Sequence, residues 1–305
     1  MAAIEVHDLR KSYGEHEVLR SVGFQVGEGE VFCLLGPNGA GKSTTVEILE
    51  GYRSRSSGTV SVLGHDPERG ERALRERVGI VLQQCGIQPD LSVAELLEMY
   101  GRYYPKQRPV DELVELVELE ARRDAHIHGL SGGQRRRLDL ALALVGDPDV
   151  LFLDEPTTGF DPSARRQAWS TIRTLCALGK TVVLTTHLMD EAQALADRIA
   201  VLREGEIVAA GTPAEIGGRH EAPTKIRFML PDGIQLADLP KLAAQVSLEG
   251  SEVFLVARDG VATSNRITGW ALERGLELRG FSVAQPSLED IYLRLTDGAR
   301  EATAR

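Results

Sequence analysis

Residues 36–44, Gly-Pro-Asn-Gly-Ala-Gly-Lys-Ser-Thr, constrain the fold of this chain more than any other segment. They match the pattern G-x-x-x-x-G-K-[ST], with a buried-strand pattern before them (31–35) and a helical pattern after them (45–49). Strand, glycine-rich loop and helix in that order are typical of a phosphate-binding loop. Glycines let the backbone turn several N–H groups inward, and the helix N-terminus adds a partial positive charge. The segment therefore predicts a nucleoside triphosphate site.

The residue types of this loop also predict which groups the nucleotide contacts. Lys42 supplies a full positive charge for the outer phosphates, and the Ser43 hydroxyl is placed to ligate Mg²⁺. The expected nucleotide contacts in this segment are Gly36, Asn38, Gly39, Ala40, Gly41, Lys42, Ser43 and Thr44.

Composition is that of an ordinary soluble globular protein and limits the partners. The 305 residues are enough for about two domains. Asp and Glu (45) outnumber Lys and Arg (35), and the net charge of −10 argues against broad, sequence-independent binding of nucleic acid. Cys33, Cys85 and Cys176 are widely spaced among apolar residues, which predicts neither disulfides nor a metal site. Without a signal-peptide pattern or an apolar run of about 18 residues, we expect a cytoplasmic chain that does not itself cross a membrane.

Hydrophobic periodicity predicts an α/β fold in several parts. A β-rich opening leads into a repeated strand–helix–strand pattern, which indicates a parallel sheet, and a helical insert interrupts it at about 84–145. The expected domains are 1–217, which contains the phosphate-binding loop, and a small α+β domain at 224–296. Residues 218–223 are expected to form a linker, and residues 297–305 a frayed tail.

Four shorter segments carry local predictions. Residues 11–14 have the composition of a turn, residues 68–77 an amphipathic helical pattern, and residues 276–284 a strand pattern. A capping-box pattern at 287–290 predicts a final helix that continues to residue 295.

Two adjacent acids, Asp154 and Glu155, end the apolar strand pattern at 150–153. Neighbouring residues on a strand point to opposite faces, so the two carboxylates should have different functions. Asp154 suits the shell of Mg²⁺, which prefers hard oxygen ligands. Glu155 is then the candidate that polarises an attacking water.

A second anion site is predicted where Leu130-Ser131-Gly132-Gly133-Gln134 opens a helical pattern. Ser131 is suited to cap the helix, and the two glycines leave backbone N–H groups free to face a ligand. Because the chain has one nucleotide motif, another molecule has to bring this second site its phosphate. The three arginines at 135–137 are expected on a solvated helix face rather than in a nucleic-acid site.

In sequence, order and spacing, segments 36–44, 130–134 and 150–155 resemble the Walker A, signature and Walker B motifs of ABC-family ATPases. The resemblance covers about residues 4–217. It implies a P-loop NTPase fold with a RecA-like core, an antiparallel β subdomain and a helical subdomain. It also implies ATP and Mg²⁺ as cofactors and ATP hydrolysis as the activity.

The same resemblance assigns roles to four further residues. Tyr13 resembles the aromatic residue that stacks on adenine, and His187 resembles the switch histidine that contacts the γ-phosphate. Gln83, next to a duplicated Gln84, matches the glutamine that joins the Mg²⁺ shell. Asp161 matches a residue of the loop that crosses to the partner subunit.

In this family two ATPase domains pack head to tail, and each signature covers the γ-phosphate held by the other domain. The resemblance therefore implies a symmetric homodimer with two composite sites. The residues expected to act on the partner's ATP are Ser131, Gly132, Gly133, Gln134 and Asp161. The expected catalytic residues are Glu155, His187 and Lys42, and the expected Mg²⁺ ligands are Ser43, Gln83 and Asp154.

The segment 285–293 resembles the C-terminal extension of bacterial exporter ATPases, most closely those of daunorubicin-type drug-resistance exporters. We therefore expect the chain to power export of a drug, antibiotic or lipid-like substrate through a separate integral membrane permease. It would then lie on the inner face of the cell membrane. Two alternatives stay open: a soluble ABC-type ATPase acting on nucleic acid or ribosomes, and the ATPase of an importer. Soluble ABC-type ATPases of that kind usually carry a coiled coil, zinc-ligand cysteines or two ATPase halves in one chain. Importer ATPases usually carry a regulatory barrel that is longer than this C-terminal extension.

Overall fold

The structure, a computed structural model, describes residues 2–81 and 90–293, without the side chains of residues 219–221. The chain divides into two compact units, Met1–Pro213 and Ala214–Arg305.

The strands of the first unit are β1 (Ala2–Tyr13), β2 (His16–Gly27), β3 (Val31–Leu35), β4 (Ser57–Val62), β5 (Val78–Val81), β6 (Val150–Asp154), β7 (Thr181–Thr186), β8 (Arg198–Arg203) and β9 (Glu206–Gly211). Its α-helices are α1 (Lys42–Leu49), α2 (Arg72–Arg75), α3 (Val93–Gly101), α4 (Val110–Leu116), α5 (Gly132–Leu144), α6 (Pro162–Ala177) and α7 (Met189–Leu195), with 3-10 turns at Pro67–Arg69, Glu120–Arg122 and Ile127–Gly129.

A six-stranded sheet in the order β5-β6-β7-β3-β8-β9 forms the centre of the first unit. The first five strands in this order are parallel, and β9 pairs antiparallel with β8. Every residue of β3 and β7 is buried, as expected for parallel strands covered on both faces. The carboxyl ends of parallel strands meet at one edge of a sheet. The segments that follow β3, β6 and β7 are therefore brought together.

A separate antiparallel sheet in the order β2-β1-β4 packs into the same hydrophobic core. Its Phe24 stacks on Phe32 of β3, with ring centroids 4.8 Å apart, so the two sheets share aromatic contacts. Helices α3, α4 and α5 lie between β5 and β6 in the chain. The predicted α/β class, with an antiparallel β part and a helical part beside the parallel sheet, is confirmed.

The second unit is a small α+β structure. Its strands are β10 (Thr224–Met229), β11 (Ala244–Glu249), β12 (Glu252–Ala257) and β13 (Ser282–Ala284), its long helix is α8 (Gly260–Glu273), and 3-10 turns lie at Ile216–Glu221 and Leu236–Asp238. The strands form an antiparallel sheet in the order β11-β12-β10-β13. Phe228 of β10, Leu255 of β12 and Ile267 of α8 are at most 1% exposed and belong to one apolar core.

Three of the local predictions are wrong. Residues 11–13 are not in the turn, because β1 continues to Tyr13, which pairs with His16, and the turn is formed by Gly14 and Glu15. Residues 68–77 do not form one helix, because Gly70 has a φ of 62° and α2 is four residues long. In the third segment, Gly280 has a φ of 66° and only Ser282–Ala284 is a strand. The final helix is present at 288–293, and its predicted end lies outside the described residues.

Across residues 2–81 and 90–293, no helix combines the length and the apolar character that a membrane span requires.

Candidate active site

The phosphate-binding loop joins β3 to α1, and two of its glycines are required by close contacts. A Cβ on Gly36 would lie 2.4 Å from the carbonyl oxygen of Leu202. Gly41 has a φ of 105°, and a Cβ there would lie 2.5 Å from a methyl carbon of Leu19. Because α1 begins at Lys42, its first N–H groups have no acceptor within the helix. These groups form a cradle with partial positive charge, which fits phosphate oxygens.

Lys42 is held at this cradle by the loop itself. Its Nζ donates hydrogen bonds to the carbonyl oxygens of Gly36 at 2.9 Å and Pro37 at 3.2 Å. The side chain is 5% exposed. Burial lowers the pKa of the Lys42 ammonium, and the carboxylates of Glu155 and Asp154 act in the opposite direction. The result is a buried cation beside the N–H donors at the start of α1, which suits an anionic ligand.

Asp154, the last residue of β6, lies against the start of α1. The Ser43 hydroxyl donates to its carboxylate oxygens at 3.1 Å and 3.3 Å, and the Thr185 hydroxyl of β7 also donates to it. A hydroxyl and a carboxylate in contact are hard oxygen donors of the kind that Mg²⁺ prefers, so both residues fit the predicted metal. The third predicted ligand, Gln83, lies outside the described residues.

Glu155 follows the strand rather than ending it. It has a φ of 48°, in the left-handed region, and its N–H donates to the carbonyl and the hydroxyl oxygens of Thr185, each at 3.1 Å. The sequence pattern predicted both acids on one strand, but β6 ends at Asp154. The two carboxylates therefore take different directions because the backbone turns between them, and not because a strand alternates.

The Glu155 carboxylate joins the other charged groups of the site. Its Oε1 lies 3.2 Å from Nδ1 of His187 and 3.6 Å from Nζ of Lys42, and its Oε2 accepts from the Thr158 hydroxyl at 3.1 Å. Burial raises the pKa of Glu155, but hydrogen bonds from His187 and Thr158 and the charges of His187 and Lys42 outweigh it. The pKa is therefore below its ordinary value, and the group is a carboxylate at neutral pH.

Tyr13 stands at the end of β1 with 42% of its surface exposed. Lys11 Nζ lies 5.0 Å and Arg53 Cζ 5.3 Å from the ring centroid, and Arg53 is paired with Glu47 of α1 at 2.5 Å. The ring is an aromatic surface near α1, the helix whose first N–H groups form the phosphate cradle. Its size and exposure suit stacking on a nucleobase.

The signature segment and Asp161 are placed differently. Ser131 caps α5 by accepting from the N–H of Gln134 at 3.2 Å, and the Gln134 side chain accepts from the N–H of Ser131 at 2.9 Å. Asp161 caps α6 by accepting from the N–H groups of Ser163 and Ala164 at 2.8 Å and 3.0 Å. Within the described part of the chain, none of these bonds reaches the Lys42–Glu155 cluster. One chain thus brings Lys42, Ser43, Asp154, Glu155 and His187 together, while residues 131–132 and Asp161 are exposed.

The expectation of a solvated arginine face is wrong for Arg136. Its side chain is 14% exposed, and its guanidinium donates to the carbonyl oxygens of Pro156 at 3.3 Å and Asp154 at 3.2 Å. Arg136 therefore braces the backbone on both sides of Glu155. The sequence of three arginines at 135–137 does not reveal this role, because only the packing of α5 against the end of β6 distinguishes Arg136 from its neighbours.

Sequence reasoning also missed Glu191, a buried acid one helical turn after His187. It is 1% exposed, and its Oε1 accepts from the Thr157 hydroxyl at 2.6 Å and from the Trp169 indole N–H at 3.1 Å. No short motif marks it. The one available signal is an acidic residue on the side of α7 that also carries the buried Ala192 and Leu195.

Two family profiles match this chain. One, described as ABC transporter, matches residues 19–158, and the other, described as the C-terminal domain of ABC transporter domain-containing protein-like, matches residues 224–287. The Nod factor export ATP-binding protein I of Paraburkholderia xenovorans is 41% identical over 301 residues, which is 97% of each chain.

Solved structures agree with the first of these profiles. An ATP-binding subunit of an ABC transporter superposes with a TM-score of 0.64 at 28% identity, covering 70% of this chain and 91% of that one. A dimeric ATP-binding cassette in a post-hydrolysis state, bound to ADP and Pi, superposes with a TM-score of 0.62 at 27% identity, covering 68% of this chain and 98% of that one.

Proposed function

The chain belongs to the family of ABC transporter ATP-binding proteins, and on that basis we propose that it powers export through a separate membrane permease as a head-to-tail homodimer. As a member of this family it binds ATP and is an ATPase. The observation that carries the export proposal is 41% identity, over 97% of both chains, to a protein named for Nod factor export. That similarity favours export over import, and over action on nucleic acid or ribosomes.

For the nucleotide itself, we propose that the N–H groups at the start of α1 and the Lys42 ammonium bind the phosphates. Ser43, Asp154 and Gln83 would hold Mg²⁺, which supplies charge neutralisation and orientation of the phosphates when bound. Tyr13 would stack on adenine. The support for this assignment is the contact between Ser43 and Asp154 and the carbonyl bonds that hold Lys42 at the cradle.

For hydrolysis, we propose that Glu155 orients and polarises the attacking water, while His187 and Lys42 stabilise the charge of the transferring phosphoryl group. Glu155 suits the role because its depressed pKa keeps it ionised and because it is in contact with both of the other groups. The Lys42 cation lies 3.6 Å from the Glu155 carboxylate, so an incoming phosphate would compete with that carboxylate for it.

The homodimer is proposed because one chain has a single phosphate cradle and a single signature, whose exposed residues make no bond with that cradle in the described part of the chain. Ser131, Gly132, Gly133, Gln134 and Asp161 would then act on the partner's ATP. A closed two-fold dimer gives each of the two cradles one signature.

Mixing two inactive variants tests this arrangement. Gly132→Asp should fold, since a Cβ there meets nothing within 4 Å and an acid at a helix N-terminus is stabilising, but its charge repels a γ-phosphate. Lys42→Ala removes the cradle cation instead. An equal mixture should regain up to about a quarter of wild-type ATPase activity, because half of the dimers have one intact site. A mixture as inactive as its parts, or full activity of Gly132→Asp alone, contradicts the composite site.

We also propose that residues 1–217 form the ATPase domain and 224–296 a separate small domain after a linker at 218–223. The division of the chain after Pro213 and the second profile match at 224–287 support this boundary. Association with the inner face of the membrane would come through the permease. Co-purification with the product of an adjacent membrane-protein gene, and stimulation of ATPase activity by it, tests the export proposal, and a failure of both would refute the pairing.

A further inference from the structure

Glu191 is a buried acid to which the proposed mechanism gives no role. Burying a carboxylate is costly unless hydrogen bonds compensate, and here two neutral donors, the Thr157 hydroxyl and the Trp169 indole, bond the same oxygen. A leucine at this position would avoid that cost. The acid must therefore be explained by what its two partners do.

The partners connect three elements of the site. Thr157 is 0% exposed and lies in the segment between Glu155 and the α6 cap, Asp161. Trp169 is on α6, and Glu191 is on α7, which begins two residues after His187. A second pair, Arg165 on α6 and Asp190 on α7, lies at 3.0 Å and fastens the same two helices.

The bond between Glu191 and Thr157 joins two segments of the chain that a second contact also joins. In that second contact, Nδ1 of His187 lies 3.2 Å from Oε1 of Glu155. The two contacts join the same two pieces of chain, the segment 155–161 and the segment from His187 into α7. A left-handed backbone costs a glutamate about 1–2 kcal/mol, and such a conformation persists only where its surroundings hold it.

We propose that Glu191 is a positioning residue which, by holding Thr157, fixes Glu155 relative to His187 and fixes the path of the chain to Asp161. This inference rests on the proposed roles of Glu155 and His187. Neither Glu191 nor Thr157 contacts Lys42 or Ser43 among the described residues. Loss of the bond should therefore lower kcat and leave the KM for ATP nearly unchanged.

Thr157→Val tests the inference because valine has the shape of threonine without the hydroxyl. We expect kcat to fall about tenfold, equivalent to a loss of about 1.4 kcal/mol of transition-state stabilisation, with KM for ATP within about twofold of wild type. Thr157→Ser keeps the hydroxyl and should retain kcat. The matched control is Thr171→Val on α6, which removes a buried hydroxyl whose one hydrogen bond among the described residues goes to the Gln167 carbonyl of its own helix.

The outcomes separate this inference from the proposed function. If wild type hydrolyses ATP but Thr157→Val keeps its kcat, or if Thr171→Val lowers kcat equally, the positioning role of Glu191 is wrong and the ATPase assignment stands. If KM rises as much as kcat falls, the bond supports nucleotide binding and the inference is also wrong. Thermal melting identifies a variant that fails to fold, and Thr157→Ala, which cannot overpack, then decides by the same criteria.

Discussion

Replacing Glu155 by glutamine should stop ATP turnover while preserving the fold and ATP binding. The amide has the same size, and its oxygen can still accept the bond from the Thr158 hydroxyl. The two bonds that hold the left-handed turn run from the Glu155 backbone N–H to Thr185 and do not involve the Glu155 side chain. The substitution therefore removes one negative charge from the site and leaves the geometry in place.

The magnitude follows from what that charge does. Loss of a positioned general base costs about 10²–10⁴ in rate, or about 3–5 kcal/mol of transition-state stabilisation. In the free protein the carboxylate lies 3.6 Å from Lys42 Nζ. Their screened attraction is about 5 kcal/mol at an effective dielectric constant of about 20, and an incoming phosphate has to compete with it. The variant should therefore bind ATP at least as tightly as wild type.

Phosphate release and size-exclusion chromatography measure the two expectations. We expect kcat to fall at least about a hundredfold. A dimer peak should appear with ATP and be absent without it. The matched control is Glu204→Gln, because Glu204 also has a φ of 48° but is 68% exposed. Turnover of the Glu155 variant within tenfold of wild type would refute the assignment of Glu155, and so would equal losses in both variants.

Two stability predictions use positions elsewhere in the first unit. Gly36→Ala would place a Cβ 2.4 Å from the Leu202 carbonyl oxygen, so we expect the melting temperature to fall by about 5–10 °C. Gly129→Ala, at a glycine without a positive φ where a Cβ meets nothing within 4 Å, should lower it less, and equal shifts would contradict the steric argument. Burial raises the pKa of Asp147, but bonds from Lys106, Lys180 and Arg108 outweigh it and hold the pKa well below the usual range. This stabilisation is present above the unfolded-state pKa near 3.9 and is lost as pH falls through the folded-state value, so Asp147→Asn should melt below wild type at pH 7, and the gap should begin to narrow below about pH 4. A gap that stays constant with pH would exclude this charge effect.

The fold class and the residues that meet at the phosphate cradle were predictable because short-range rules fix them. The pattern of glycines and Lys42 between a strand and a helix requires one local geometry, and parallel strands bring their carboxyl ends together wherever they lie in the chain. His187, 145 residues after Lys42 in the numbering, follows β7 and so lies at the same edge of the sheet, although its role was predicted from the family resemblance.

The rest depended on packing that no local pattern records. Arg136 is indistinguishable in sequence from the arginines beside it until α5 is placed against β6. The separation of Asp154 from Glu155 was predicted for a wrong reason, because strand alternation and a left-handed turn give the same expectation. Glu191 and Thr157 are 34 residues apart and belong to no motif.

The carbonyl bonds that hold Lys42 in place have a consequence for nucleotide exchange. A free lysine side chain has rotamer entropy of up to about 2 kcal/mol, and here that freedom is given up when the protein folds. ATP should consequently meet a receptor that is already shaped. Repeated cycles would then not require the cradle to form again, and any motion that hydrolysis drives would have to come from the segments around the cradle.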